Sequence, residues 1–175
     1  MSRGLVLEQA AADHREAVTA VAADVERFDA SCWETPPRPG KWCPAEIAQH
    51  LTLAYEAPMR ELAGGPGYRP LLSWWMQRVA RWVALGRILD GGRFPAGAKS
   101  PPEARPSGPY PPPGEAAARL RDAAAAFERA ISEAHRTGRG RISHPYFGPL
   151  TAPQALELVA RHAEHHRKQL HEGGA

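Results

Sequence analysis

Cysteine is scarce in this sequence, and its scarcity excludes several kinds of protein. The 175 residues contain two cysteines, Cys32 and Cys43, and no Cys-x-x-Cys pair. We therefore expect neither a disulfide framework nor a cysteine-built zinc site. Sustained period-two alternation of β-branched residues is also missing, so strand signals are almost absent. The N-terminal residues lack the apolar run and cleavage site of a secretory signal, and a cytoplasmic location is expected.

Charge and hydropathy argue against two kinds of partner. The 22 basic and 19 acidic residues leave a net charge of only +3 without a long basic block, so we expect no nucleic-acid partner. The longest apolar stretch, residues 71–89, is interrupted by Arg78, Arg81 and Arg87 and does not predict a membrane span. A basic, Trp-rich helix is also typical of membrane-surface binding. We favour a helix packed on the protein with its arginines outward, and no membrane partner, because apolar stripes at helical spacing are usually core.

Helical periodicity dominates the sequence. Apolar residues recur at helical spacing over about residues 7–28, and Pro44 begins a second helix that Pro58 should kink or end. The Trp-rich stretch is a third helical segment, and two more run over about residues 115–134 and 151–170. A Pro/Gly-rich connection spans about residues 91–114. The sequence therefore predicts one all-α domain over residues 1–175, a four-helix bundle with a long crossover connection plus an extra Trp-rich helical segment.

Histidine spacing is the feature that points to chemistry. His162 and His166 lie four residues apart in the last predicted helix, so both side chains project from one face, beside Val159 and Ala163. His50 lies on the apolar stripe of the second helix, where a buried imidazole needs a polar partner. Bundle cores are a usual place for metal sites, which makes these three the candidate ligands. Spacing alone leaves open that the pair on the last helix is a chance occurrence that faces solvent.

A set of three imidazoles indicates the kind of metal site. Three nitrogen ligands leave a coordination position open for water or substrate, as in catalytic zinc sites. They favour Zn²⁺ or Ni²⁺ over Ca²⁺ or Mg²⁺, which prefer oxygen ligands. His14 continues the stripe of the first helix, but a satisfied core histidine is more common than a fourth ligand. His165 is turned about 100° from His166, and Glu46 either caps its helix or supports His50.

Three stretches of sequence resemble one known family. Residues 42–51 (WCPAEIAQHL) resemble the second-helix motif of the DinB/YfiT-like superfamily, in which Trp-Ser-x-x-Glu-x-x-x-His-Leu is typical. Residues 144–151 (HPYFGPLT) and 162–170 (HAEHHRKQL) resemble its last loop and helix, and residues 92–95 (GRFP) are similar to one of its branches. Cys43 departs from the usual serine, at a position that affects the helix cap more than the metal. The resemblance extends over most of the chain.

The resemblance implies both an architecture and a class of function. It implies a four-helix bundle with a long crossover, and a divalent ion held by His50, His162 and His166. Several branches of the superfamily are metal-dependent transferases and isomerases that use a low-molecular-weight thiol, which implies a thiol cosubstrate and a small-molecule substrate. The alternative is a metal-binding bundle without catalysis, acting in stress response or as an interaction module. A homodimer is left open, and the sequence identifies no general base or substrate-binding residue.

Overall fold

The computed structural model describes residues 3–91, 94 and 98–173. Residues 1 and 2, part of the predicted crossover (92, 93 and 95–97) and residues 174 and 175 lie outside the described residues, so the GRFP resemblance is described only at Phe94. The elements, in chain order, are α1 (Arg3–Glu26), α2 (Ala30–Trp33), α3 (Pro44–Leu53), α4 (Glu56–Leu62), α5 (Trp74–Ala80), a π-helical turn (Arg81–Leu85), α6 (Gly86–Leu89), a 3-10 turn (Pro102–Ala104), α7 (Pro113–Arg136), β1 (Arg141–His144), β2 (Gly148–Thr151) and α8 (Ala152–Gly173).

Four stretches of helix form the bundle. α1 packs along both α7 and α8, and α3 with α4 packs against α7. Their shared seam is apolar and fully buried, as the repeating stripes of the sequence predict; it includes Val21, Ala22, Val25, Ala117, Phe127, Ile131 and Leu156. At one end, the Asp24 carboxylate accepts hydrogen bonds from Arg167 (2.6 Å) and His171 (2.8 Å), which joins α1 to the last turns of α8. The predicted all-α four-helix bundle is confirmed.

Two local devices define α3. At its start, the backbone N–H of Cys43 donates to Glu46 Oε2 at 2.8 Å, and Pro44 occupies the first helical position, where a missing N–H costs nothing. Its end is set by Pro58, which has no N–H to offer the carbonyl of Ala54 one turn earlier. That carbonyl accepts from the Tyr68 hydroxyl at 2.8 Å instead. The helix therefore ends at Leu53 and restarts as α4, in agreement with the predicted effect of Pro58.

The Trp-rich segment is helical, as predicted, but its tryptophans do not pack on the bundle as expected. α5, the π-helical turn and α6 run without interruption, with Leu85 and Ile88 buried against the bundle. Arg81 points inward, donating to the carbonyl of Pro149 (2.5 Å) and to Gln154 Oε1 (2.9 Å). The tryptophans are exposed instead. Arg78 and Arg87 point outward as expected, but the expectation is wrong for Arg81 and for the tryptophans, since Arg81 finds acceptors that a sequence pattern does not reveal. Among the described helices, none is long and apolar enough to cross a membrane.

A short β-hairpin precedes α8 and was not expected. β1 and β2 pair antiparallel, with Ile142 opposite Leu150 and both side chains buried. Gly148 adopts a φ of +65°, which an L side chain rarely tolerates, at the point where the chain turns back. The Glu61 carboxylate accepts from the Ser143 backbone N–H at 2.8 Å and from its hydroxyl at 2.7 Å. The hairpin thereby fixes the entry of α8 relative to α4.

The described part of the crossover connection follows the bundle surface closely. Gln49 of α3 accepts from the Ser107 backbone N–H at 2.6 Å and donates to its carbonyl at 3.1 Å. Trp33 of α2 donates from its indole N–H to the carbonyl of Pro111 at 2.8 Å. These bonds hold the 3-10 turn against α3, next to His50. The long connection therefore forms one wall of the region where the predicted site residues lie.

Candidate metal centre

His50 is fixed in one tautomer by the crossover connection. It lies on the buried side of α3, with 4% of its surface exposed. Its Nδ1 lies 2.6 Å from the carbonyl oxygen of Ala104, which only accepts hydrogen bonds, so Nδ1 carries the proton. The Ser100 hydroxyl also donates to that carbonyl, at 3.2 Å. The lone pair of His50 is consequently on Nε2, which points toward α8.

His162 and His166 face His50 from α8. Their spacing places both rings on one face, and Nε2 of His162 lies 3.1 Å from Nε2 of His50 and 3.0 Å from Nε2 of His166. One ligand atom from each residue lies within 4.8 Å of those of the other two. The structure therefore brings together the three histidines that the sequence singles out.

Gln169 orients the ring of His166. Its Oε1 accepts the Nδ1 proton of His166 at 2.8 Å, and its Nε2 group donates to Nε2 of His165 at 3.1 Å. The glutamine lies three residues after His166, a spacing that brings side chains into contact on a helix. As in His50, the proton is held on Nδ1 and the lone pair of Nε2 points into the cluster. His165 thus contacts Gln169 and His166 but is not one of the three converging histidines.

The donor set fits a divalent transition metal. With their protons fixed on Nδ1, His50 and His166 both present lone pairs to the same small space, and a single N–H on His162 can satisfy only one of them. A cation satisfies all three nitrogens. Nitrogens bound about 2.05 Å from a tetrahedral ion lie about 3.3 Å apart, close to the two distances that the cluster shows. Hydrogen bonds from the non-liganding ring nitrogens to a carbonyl and an amide are the usual support of metal-bound histidine.

Burial keeps these imidazoles neutral. Desolvation lowers the pKa of His50, and it lowers the pKa of His166 to about 3, with repulsion from His50 and His165 adding to the shift. The pKa of His162 is held well below its usual value by burial first and by its two neighbours next. Neutral imidazole is the form that binds metal, so at pH 7 no proton has to leave before an ion is bound.

Comparison with known families agrees with this architecture. The model of the DinB superfamily matches residues 7–170, almost the entire chain. The chain belongs to the DinB superfamily. No curated protein and no solved structure gave a match. Membership in the DinB superfamily supports the bundle and the resemblance carried by the histidine motifs, and it leaves the reaction open.

Aromatic rings enclose the histidine cluster of this DinB-superfamily chain. Trp42 stacks on His166, with ring centres 6.0 Å apart and planes 18° apart, and contacts His50 at 4.7 Å. Phe94, in the crossover connection, packs against His162, with ring centres 5.7 Å apart. Apolar walls of this kind lower the local dielectric constant and so strengthen every electrostatic interaction inside.

A groove of about 580 Å³ opens beside the cluster. Trp42 and Gln169, which both contact His166, line this groove, and so do Phe28, Cys32 and Pro36. It is large enough for a small organic ligand. The Trp-rich segment is not among the residues that line this groove.

The remaining candidates have other partners. His14 is 1% exposed and lies in the bundle core, where Nε2 is bonded to the Tyr55 hydroxyl at 2.8 Å and Nδ1 lies 3.4 Å from Glu128. Its burial lowers its pKa, an effect that Glu128 partly offsets. Glu46 caps α3 and does not support His50, whose Nδ1 is bonded to Ala104. Both residues therefore stabilise the fold rather than complete the cluster.

Four elements of the site were missed by sequence reasoning. Trp42 and Gln169 were quoted in the family motifs without a role, although the three-residue step from His166 to Gln169 would have indicated a contact. The carbonyl of Ala104 has no sequence signal at all, because a backbone acceptor in a loop depends only on the path of the chain. Phe94 gave no signal either, because it is a single aromatic residue in a segment without helical or strand periodicity.

Proposed function

We propose that the protein is a metal-dependent enzyme that transfers a group to or from a low-molecular-weight thiol. In this proposal His50, His162 and His166 hold one divalent ion, Zn²⁺ or Ni²⁺. The observation that carries it is the convergence of three imidazole nitrogens, two of them with their protons fixed on the opposite ring atom. The chain belongs to the DinB superfamily. The motif resemblance implies that several branches of that superfamily use a thiol, which supports the choice of substrate class.

The chain's own residues prepare the site for this chemistry. When bound, a divalent ion with an open position lowers the pKa of a thiol or water there and supplies a nucleophile near neutral pH. Ala104 and Gln169 hold the protons of the ligand rings, so the nitrogens are oriented before the ion arrives. Trp42 and Phe94 exclude water from one side each. The groove beside Trp42 and Gln169 offers room for the thiol or for its electrophilic partner.

Metal content tests the first half of the proposal. Elemental analysis of the purified protein should give one Zn²⁺ or Ni²⁺ per chain, and His162→Ala should lose it. His135→Ala is the matched control, because it removes a histidine at the end of α7, outside the cluster. If the wild-type protein binds neither ion in a titration, or if His162→Ala retains wild-type affinity, the proposed ligand set is wrong.

Turnover tests the second half. The metal-loaded protein should be screened for conjugation of glutathione, mycothiol or bacillithiol to electrophiles, with His50→Ala and His166→Ala alongside. The proposal expects turnover with at least one thiol, lost in both variants. Turnover that survives in both would contradict the role of the metal. Tight metal binding without turnover on any thiol would favour the alternative, a non-catalytic metal-binding bundle.

A further inference from the structure

The outward side of segment 74–89 is an apolar surface that the described residues leave uncovered. Trp74, Trp75 and Trp82 are 75%, 56% and 88% exposed, and further large apolar side chains beside them are more than a third exposed: Leu71, Met76, Val79 and Val83. We call these seven residues the Trp face. Elsewhere in the described part of the chain, Val6 is the one other large apolar side chain exposed to this degree. An apolar surface of this kind usually marks a binding site.

The exposure of the Trp face is enforced by bonds on the opposite side of the helix. Gln77 donates to the carbonyl of Pro145 at 3.1 Å, and Arg81 donates to the carbonyl of Pro149 and to Gln154. Leu85 and Ile88 are buried on the same inward side. Rotating the helix to bury its tryptophans would break these bonds and expose both aliphatic side chains, so the outward orientation is a property of the fold.

An apolar groove accompanies the Trp face. It has a volume of about 320 Å³ and is lined by Leu72, Trp75, Met76, Val79, Ala80, Val83 and Ala84. All seven side chains are apolar except for the indole N–H of Trp75, so the groove offers few hydrogen-bonding groups to a polar ligand. The groove is therefore suited to binding hydrocarbon chains.

The charges within the segment that carries the Trp face are of one sign. Between Glu61 and Asp90 the sequence has four arginines and no acidic residue or lysine. Arg69 faces Glu103 at 3.7 Å, and Arg81 is bonded inside the protein. Arg78 and Arg87 are exposed, and no ion pair is found for either among the described residues. The free charge beside the tryptophans is therefore positive and complements an anionic surface.

We propose that the Trp face docks on an anionic phospholipid bilayer, with segment 74–89 lying in the interface. Exposed tryptophans, an apolar groove and unpaired arginines on one helix are the composition of an interfacial amphipathic helix. Trp suits the headgroup level because its ring is apolar and its N–H finds polar partners there. This inference does not depend on the metal centre or on the proposed reaction.

A second copy of this chain is the weaker choice of occupant. A two-fold axis would bring the free arginines of both copies, Arg78 and Arg87, into the same contact, where their charges repel. A lipid surface avoids this repulsion, because its headgroups carry the complementary charge.

Vesicle binding by the full-length protein tests the proposal. Sedimentation should show binding to vesicles of phosphatidylcholine with phosphatidylglycerol, weaker binding to phosphatidylcholine alone, and loss of the difference in high salt. Trp82→Ser should weaken binding about tenfold, whereas Val6→Ser, which removes an exposed apolar side chain on α1, should not. Circular dichroism checks that each variant is folded, which the exposure of both positions favours.

The charge arm of the test uses paired double variants. Arg78→Gln with Arg87→Gln should weaken binding to anionic vesicles about 25-fold, at about fivefold per arginine. Arg119→Gln with Arg136→Gln, both exposed on α7, changes the net charge equally and should leave binding unchanged. Absence of binding to anionic vesicles at low salt would overturn the proposal. The proposal would also be overturned if the wild type binds no vesicles but forms a concentration-dependent dimer that Trp82→Ser abolishes.

Discussion

Replacing Gln169 by leucine tests how much the orientation of His166 matters for metal binding, because the histidine itself stays in place. Gln169 contributes no atom to the cluster of converging nitrogens, yet it holds the Nδ1 proton of His166 at 2.8 Å. Leucine has nearly the same size and cannot accept a hydrogen bond. In Gln169→Leu, His166 keeps its ring but loses the bond that fixes the proton on Nδ1 and the ring plane toward the cluster. We therefore expect a folded protein with an impaired metal site.

The size of the effect follows from the hydrogen bond. Removing a partner of a metal-bound histidine typically weakens metal affinity about 10- to 100-fold. That corresponds to about 1.4–2.7 kcal/mol, somewhat more than the net value of about 0.5–1.5 kcal/mol for an ordinary hydrogen bond. His50 is supported by the backbone carbonyl of Ala104, which no substitution removes. Of these two supporting groups, only the Gln169 side chain can therefore be removed by mutation.

Competition with a fluorescent chelator measures this loss for Zn²⁺ at pH 7. Gln169→Glu is the informative partner variant, because a carboxylate accepts the same proton and should restore affinity to at least the wild-type value. Thermal unfolding of both metal-free variants controls for damage to α8. The reasoning would be refuted by a leucine variant that binds Zn²⁺ within twofold of wild type, or by a glutamate variant that binds as weakly as the leucine one.

Three further predictions concern the fold. Phe127→Ala, which empties the most buried aromatic position of the core, should lower the free energy of unfolding by about 3–5 kcal/mol in urea. Tyr55→Phe should cost about 1–3 kcal/mol in the same assay, because it leaves Nε2 of His14 without its 2.8 Å partner; no change would mean that the bond contributes nothing. Burial lowers the pKa of His144 to about 3, so the unfolded chain binds a proton there between pH 6.5 and pH 3 that the folded protein does not. Stability of the metal-free protein should therefore be full above pH 6.5 and fall as the pH drops toward 3. His144→Asn, which keeps an acceptor for the Tyr146 backbone N–H, should reduce that slope in unfolding experiments across the pH range.

Periodicity was sufficient for the bundle and for the convergence of two histidines. The stripes that place Val21, Phe127 and Leu156 in the core are strong because they repeat over many turns, and a four-residue step brings His162 and His166 together in any helix. The apolar stripe predicted that His50 is buried, and the family resemblance implied that it joins the other two histidines. The helical stripes and the four-residue step depend on local geometry, which the order of residues determines directly.

The elements that were missed depend on partners far away in the sequence. The hairpin has strands of four residues with Gly148 and Pro149 in one of them, too short and too irregular for an alternating pattern. The predicted packing of the tryptophans and the outward position of Arg81 were wrong. The apolar stripe of that helix resembles a core stripe, but the bonds of Arg81 to Pro149 and Gln154 determine which side faces the protein. His50 depends on a carbonyl at Ala104, 54 residues along the chain.

The cluster joins parts of the chain that are distant in sequence, since His50 and His162 are 112 positions apart. An ion held between them acts as a reversible cross-link that closes a loop of that length. A permanent cross-link over about 100 residues removes about 4.7 kcal/mol of chain entropy from the unfolded state in the loop-closure model. Metal occupancy would thus raise the stability of the packing between α3 and α8. A chelator would remove the cross-link and restore the entropy of the unfolded chain, as a reducing agent does in a disulfide protein.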